Sequence, residues 1–149
     1  MINILKNILN KQNSNENEDD SKNLELLSGL MIEAAYTDGK IDEIELKKIK
    51  LSLINIFNED SNEVEIVVNE AVKNKNNSRS LHHYTSFINK NFDNDKKLLL
   101  IEALWEIVLS DGEIHDFESN LIRRLAGLLY ISDIHSGNAR KRALDKLQI

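Results

Sequence analysis

Apolar residues recur three and four positions apart from Leu24 to the end of the chain, which is the spacing of one face of an α-helix. Short polar or glycine-containing stretches divide this pattern into seven runs. The pattern predicts an all-α, single-domain helical bundle of about seven helices. They fall at about residues 23–37, 42–57, 60–73, 80–92, 93–109, 116–129 and 132–147.

Each predicted helix start except the sixth has a suitable capping residue. Asp, Ser, Thr and Asn side chains accept a hydrogen bond from a backbone N–H group in the first turn, and a Glu three residues later strengthens the signal. Glu45 and Glu63 occupy that later position in the second and third helices. The candidate caps are Asp42, Asp60, Ser78 or Ser80, Asp93 and Ser132. Ser21 is a candidate cap for the first helix.

Two helices give specific expectations about burial. The helix with Leu98 and Leu109 near its ends is the most apolar, so it should be the most buried, with Trp105 as a core residue. In the second helix the expected buried stripe is Ile44, Ile49, Leu53 and Ile56. Ile134 is assigned to the apolar face of the last helix.

The first 21 residues differ from the rest. Residues 1–10 place Ile2, Leu5 and Leu9 near one helical face, and residues 11–21 are polar and acidic. The predicted organisation is therefore a short amphipathic segment with a flexible linker at 1–21 and a helical domain at 22–149. The segment is interpreted as a strap that packs on the domain. Peripheral membrane association is a weaker alternative, because a membrane anchor favours more basic residues than Lys6 and Lys11.

Composition narrows the class of protein. The 149 residues include no proline and only 5 glycines, which favours long helices. Cysteine is absent, so disulfides, thiolate metal sites and cysteine nucleophiles are excluded. The net charge of −6 argues against a nucleic-acid partner. No apolar run is long enough to cross a bilayer and no signal peptide is evident, so the cytoplasm is the expected location.

An internal repeat organises the chain. The stretches Asp38–Glu45 and Asp111–Glu118 share the form Asp-Gly-x-Ile-x-x-x-Glu, and the second begins 73 residues after the first (111 − 38). At this offset Glu33 aligns with Glu106, and several apolar positions also correspond. These are Leu26 with Leu99, Leu27 with Leu100, and Ile49 with Ile122. The repeat predicts two pseudo-symmetric helix–loop–helix units that pack into one core.

The Asp-Gly stretches have a structural and a functional interpretation. In the structural one, the glycine ends a helix, Ile41 or Ile114 packs into the core, and the acids cap the next helix. In the functional one, a divalent cation lies between loop oxygens supplied by Asp38, Asp42, Glu45, Asp111, Glu113 and Glu118.

A calcium-binding EF-hand is excluded. Its first and third ligand positions would be Ala34 and Tyr36 in one copy, and Ile107 and Leu109 in the other, and none offers a carboxylate. His115 replaces Asp42 in the second copy, which weakens the case for two equal sites.

Other candidate chemistry is sparse. His82 and His83 are adjacent, so on a helix they point in different directions and do not chelate one ion together. We expect one at the surface and one half-buried. No catalytic motif or phosphate-binding loop is present. The basic residues of the C-terminal third are interpreted as a solvated face, with contact to an acidic partner as the less common alternative. They are Arg123, Arg124, Arg140, Lys141, Arg142 and Lys146.

Three segments together carry a family resemblance. "EAAYTDGKIDEIELKKI", "FINKNF" and "LLLIEALWEIVLSDGEIHDFESNLIRRLAGLLYISD" resemble the TerB family of tellurite-resistance proteins, over roughly residues 23–147. The resemblance implies a helical domain with an internal two-fold repeat and a link to stress resistance. It also implies a cation-binding acidic surface, which carries over to Asp38, Asp42, Glu45, Asp111 and Glu118.

Three functions follow for testing. The first is a non-enzymatic, TerB-like interaction module of a stress response, with calcium or zinc on the acidic loops. The second is a structural homo-oligomer or partner-binding helical domain without a metal. The third, ranked last, is a metal-dependent hydrolase, because no nucleophile or base stands apart from the capping pattern. Protein partners or self-association are expected in the first two.

Overall fold

The computed structural model describes residues 23–36, 41–74, 80–110 and 116–147. These ranges contain seven α-helices and no strand, which confirms the predicted all-α bundle. The residues before 23, including the predicted strap and linker, lie outside the described part. The helices are α1 (residues 23–35), α2 (Glu43–Asn55), α3 (Ser61–Lys73), α4 (Leu81–Asn91), α5 (Asn94–Val108), α6 (Asp116–Leu128) and α7 (Asp133–Leu147).

Five predicted helix caps are confirmed. In each, a side-chain oxygen accepts a hydrogen bond from a backbone N–H group two or three residues later, at 2.8 to 3.2 Å. Such bonds satisfy donors that have no partner within the helix. The caps are Asp42 for α2, Asp60 for α3, Ser80 for α4, Asp93 for α5 and Ser132 for α7.

Helix α5 lies at the centre of the bundle. It contacts α2, α6 and α7, while α3 packs on α2 and α4 packs on α6. Nearly every side chain from Leu100 to Val108 is buried, and Trp105 is only 1% exposed. The expectation that this helix is the most buried is confirmed.

The internal repeat is confirmed in the helix boundaries. Shifted by 73 residues, α2 falls on α6 residue for residue, α1 ends where α5 ends, and α3 falls within α7. Core positions correspond as well, since Ile49 and Ile122 are both fully buried. Each repeat also has a left-handed residue shortly after its second helix, Asn58 (φ 55°) or Tyr130 (φ 61°), although these two residues are 72 rather than 73 positions apart.

Helix α4 joins the two repeats and has no counterpart among the residues that the structure describes. It approaches α1 at Gly29, where a Cβ atom would lie 2.8 Å from the Tyr84 hydroxyl oxygen. Any larger residue at this position would therefore have to displace the Tyr84 ring.

Two predicted core residues are exposed. Ile44 is 59% exposed, and the buried face of α2 consists of Glu45, Ile49, Ser52 and Leu53. Ile134 is 75% exposed at the start of α7. Both lie in the first turn of a helix, where neighbouring helices rather than apolar spacing decide which side is covered.

No helix in the described ranges combines the length and the apolar character needed to cross a membrane.

Candidate functional site

The structure describes three of the five predicted cation ligands, namely Asp42, Glu45 and Glu118. Asp38 and Asp111, together with Glu113 and His115, lie outside the described residues. Ile41, just after the first Asp-Gly pair, is half-buried and packs against the core as the structural interpretation predicts.

Asp42 is exposed and acts as the N-cap of α2. Its Oδ1 atom accepts a hydrogen bond from the Glu45 N–H group at 2.8 Å. One carboxylate oxygen is therefore used for capping. A carboxylate has further acceptor positions, so this role is compatible with cation binding through the other oxygen.

Glu45 and Glu118 are both buried, and they occupy equivalent positions of the repeat. Glu45 is 6% exposed in the first turn of α2, and Glu118 is 3% exposed in the first turn of α6. Glutamate is among the residues least often buried to this degree. In the first repeat the buried acid takes the place that the apolar pattern assigned to Ile44. The signal was present in the sequence, because Glu45 lies four and eight residues before Ile49 and Leu53.

Within the described ranges, no three His, Asp or Glu side chains lie together as metal ligands. Because two of the five predicted ligands are outside those ranges, the metal site stays a prediction.

Glu33 lies in the last turn of α1, close in sequence to Asp38. Within the described part of the chain its Oε2 atom is buried and has no hydrogen-bond partner. Burial raises the pKa of the Glu33 carboxyl, because removal from water disfavours the charged form.

We expect Glu33→Gln to stabilise the protein at neutral pH. A carboxyl with a raised folded-state pKa contributes stability that is present at low pH and is lost as pH rises through that pKa. The gain in melting temperature should therefore be greatest near pH 7 and should shrink toward pH 4.5, as Glu33 becomes protonated. Thermal melts at both pH values measure it. Glu25→Gln, an exposed acid on the same helix, is the control. An equal gain in both variants would contradict the interpretation.

Glu106, the repeat equivalent of Glu33, is instead neutralised by a cluster between α5 and α7. Lys146 Nζ lies 3.2 Å from Glu106 Oε1 and 3.2 Å from Glu102 Oε1. Arg142 Nε lies 3.4 Å from Glu102 Oε2. The two glutamates are 7% and 3% exposed, so the charges that α5 buries are compensated from α7.

Part of the basic face on α7 therefore has a structural role as well, although Arg142 and Lys146 stay solvated at 51% and 56% exposure. Arg142 and Lys146 are counterions, and the Arg140 guanidinium carbon lies 5.6 Å from the Trp105 ring centroid. The sequence held a signal, since Glu102 and Glu106 are four residues apart within an apolar helix and Arg142 and Lys146 have the same spacing.

The Lys146 pKa reflects this cluster. Partial burial on its own would lower it, but the hydrogen bonds and charges of Glu106 and Glu102 outweigh burial and leave the pKa raised.

The adjacent histidines differ from expectation. His82 and His83 are both exposed, so the prediction that one is half-buried is wrong. The His82 Nε2 atom lies 3.3 Å from the Ser86 hydroxyl oxygen, and His83 packs edge-on near the Tyr84 ring.

Comparison with protein families agrees with the helical architecture. The model of the family described as "Tellurite resistance protein TerB" matches residues 24–141, which is well over half of the chain. The chain belongs to the TerB family. Searches of curated proteins and of solved structures gave no significant match.

The TerB match begins near the start of α1 and ends within α7. It includes both Asp-Gly stretches, Glu33, and the buried pair Glu102 and Glu106. Arg142 and Lys146, which compensate that pair, lie just beyond its end. The residues before 24 also lie outside it.

Proposed function

We propose that this TerB family member is a non-enzymatic interaction module of a stress response, and that its two Asp-Gly loops bind a divalent cation, calcium or zinc. The supporting observation is that Glu45 and Glu118 are buried at equivalent positions directly after the two acidic loops. Acids whose only role is to keep a protein soluble are rarely buried. Here a buried acid occurs at the same position in both repeats.

The chemistry of the loops fits a hard cation. Carboxylate oxygens are the ligands that calcium prefers, and zinc also accepts them. In the proposed arrangement, Glu45 supplies a buried oxygen, while Asp42 adds the oxygen that is not used for capping. Asp38 would complete this set. Asp111 and Glu118 are the equivalents in the second repeat, where His115 favours zinc over calcium.

Cation titration of the isotope-labelled full chain tests the proposal. We expect saturable amide shifts confined to residues 38–45 and 111–118 below about 10 mM ion, which covers the weakest class of protein calcium sites. Glu45→Gln should weaken binding about tenfold or more, because it removes a charged ligand. Glu43→Gln has the same charge change on an exposed acid of the same turn, and should bind nearly as the parent does.

A titration without saturable shifts in either stretch would contradict cation binding. So would equal affinities of the Glu45→Gln and Glu43→Gln variants.

A partner-binding domain without a metal is the second candidate. The observation that favours it is a group of exposed apolar side chains around the α6–α7 turn, with Tyr130 82% and Ile134 75% exposed. Apolar side chains grouped at a surface often mark a protein contact.

A further inference from the structure

The outward side of α3 is acidic and carries one large apolar side chain. Ile66 is 64% exposed in the middle of this helix. Glu63 and Glu70, three residues before it and four residues after it, lie on the same side of the helix and are also exposed. Glu65, the remaining acid of α3, is paired with Lys50 at 2.9 Å. Glu63, Ile66 and Glu70 are called the α3 face below.

The equivalent side of the second repeat is covered by protein. At the offset of 73 residues, the α3 face corresponds to Ser136, Ala139 and Ala143 of α7, and all three are buried. Helix α3 instead buries Val64 and Val68. The first repeat therefore leaves exposed, with a large apolar residue at its centre, the side on which the second repeat packs within the bundle.

A groove with matching chemistry lies between α4 and the end of α6. Its volume is about 530 Å³, within the usual range of clefts that hold a ligand. Leu128 and Tyr130 supply apolar surface, and Lys90 supplies a positive charge. None of the described residues that line the groove carries a carboxylate. Arg124, which is exposed one helical turn before Leu128, adds a second cation on the same side of α6.

Tyr130 is held in solvent by the backbone of the α6–α7 turn. Its φ of 61° is left-handed, which bulky residues rarely adopt, and its side chain is 82% exposed. Asn89 Nδ2 donates a hydrogen bond to the Leu128 carbonyl at 3.0 Å. Lys97 Nζ donates one to the Leu129 carbonyl at 3.3 Å. Because these bonds fix the turn, the aromatic ring is presented at a constant position in the wall of the groove.

The α3 face and the groove belong to different parts of the molecule. Helix α3 packs on α2, and α4 packs on α6, while α2 and α6 both contact α5. Among the described helices, α3 makes no extended contact with α4 or α6. A molecule therefore does not place its α3 face in its own groove, whereas a second copy can.

The two surfaces are complementary in charge and in polarity. The α3 face has two acids around an apolar side chain, and the groove has two cations beside apolar side chains. Glu63 and Glu70 are about 10 Å apart along the helix axis, so they can approach different cations while Ile66 lies between them. Opposite charges that meet across an interface fix its register and disfavour other pairings.

We propose that the occupant of the α4–α6 groove is a second copy of this chain, which inserts its α3 face. Ile66 of one molecule packs on Leu128 and Tyr130 of the next, as an anchor residue of a helix packs in a groove. The two glutamates of the α3 face lie against Lys90 and Arg124. Because the two surfaces are unlike, the contact continues into longer chains or closes into a ring.

This inference rests on the proposed role of the protein as an interaction module, and it specifies the partner. It does not depend on cation binding by the Asp-Gly loops, since the α3 face and the groove include none of the proposed ligands. The two proposals can therefore fail separately.

Sedimentation velocity of the full chain tests the contact. We expect the mean mass to rise above that of the monomer between about 10 µM and about 1 mM protein, the range of weak association. The rise should be smaller in about 500 mM salt than in about 50 mM salt, because salt screens exposed charges. A chelator in every sample keeps divalent cations from contributing.

Two single variants divide the contact into its halves. Ile66→Lys places a cation on the α3 face and leaves the groove intact, whereas Tyr130→Asn removes the ring and suits the left-handed turn. Each should weaken self-association about tenfold or more, because both residues are central to the contact. A mixture of the two should form a one-to-one complex, since the intact groove of the first variant accepts the intact α3 face of the second.

Leu99→Lys is the matched control. Leu99 is an exposed apolar residue of α5, at 44%, and it lies outside both surfaces. The variant makes the same kind of change as Ile66→Lys and should associate as the parent does.

Three results would overturn the inference. One is a parent chain that stays monomeric up to about 1 mM. Another is undiminished association of the Ile66→Lys variant, which would point to a contact between two Tyr130 turns. The third is a mixture of the two variants that forms no complex. Saturable cation shifts in a strictly monomeric chain would refute the contact between copies and leave the cation proposal standing.

Discussion

Replacing Trp105 with alanine should lower the free energy of unfolding by about 3–5 kcal/mol, which is the usual cost of removing a large buried aromatic side chain. Trp105 is 1% exposed in the central helix and is the largest fully buried side chain of the described residues. Its loss would leave a cavity beside α5. It would also remove the aromatic ring whose centroid lies 5.6 Å from the Arg140 guanidinium carbon. Urea unfolding followed by circular dichroism measures the change.

Leu99→Ala is the control for this experiment. Leu99 lies on the same helix but is 44% exposed, so its truncation should cost well below about 1.5 kcal/mol. Similar losses in the two variants would mean that α5 is not the centre of the core.

Replacing Lys146 with methionine should cost about 1–2 kcal/mol. Removing one partner of a fully buried ion pair costs about 3–5 kcal/mol, but the Lys146 side chain is 56% exposed and water screens part of the effect. The variant leaves Glu102 and Glu106 buried with Arg142 as their remaining cation. Thermal or urea unfolding at pH 7 gives the difference from the parent.

The stability lost on replacing Lys146 with methionine should decrease at high pH. The Lys146 pKa is raised above 10.5, so its stabilising contribution is present at neutral pH and disappears as pH rises through the folded-state value. Parent and variant should therefore converge in stability as pH rises through the folded-state pKa of Lys146.

Lys141→Met supplies the matched comparison, because Lys141 is exposed on the same helix. Its removal should change stability by less than about 0.5 kcal/mol. Adding Glu106→Gln to Lys146→Met should recover part of the loss, since it removes the charge that was left buried. A Lys141 variant as unstable as the Lys146 variant would point to a general charge effect and against the cluster.

The sequence predicted those parts of the fold that depend on neighbouring residues. Asp42, Asp60 and Asp93 cap their helices through bonds to residues only two or three positions away, so their roles can be inferred from spacing alone. The repeat could be inferred for a similar reason, because two copies of one pattern reinforce each other.

Contacts between distant helices account for the roles of residues that the sequence did not predict. The role of Lys146 depends on Glu102 and Glu106, which are 40 or more residues away, and no local rule selects α5 as its neighbour. Ile44 was assigned to the buried side of α2 because it is apolar, although the spacing to Ile49 and Leu53 favours Glu45. Apolar spacing identifies a helix more reliably than it identifies the buried side of its first turn.

The candidate metal site was predicted less completely than the fold. Residue types and the repeat identified Asp42, Glu45 and Glu118, and the burial of the two glutamates became evident only in three dimensions. Whether these carboxylates share a cation depends on loop geometry, which residue spacing does not determine.

The position of α4 between the two repeats has a consequence for the order of folding. Helices α5, α6 and α7 follow one another in sequence and contact one another directly, so their assembly requires only short loop closures. Contact between α2 and α5 closes a loop that contains α3 and α4, and this longer loop costs more chain entropy. We therefore expect the second repeat to form the folding nucleus, onto which the first repeat condenses.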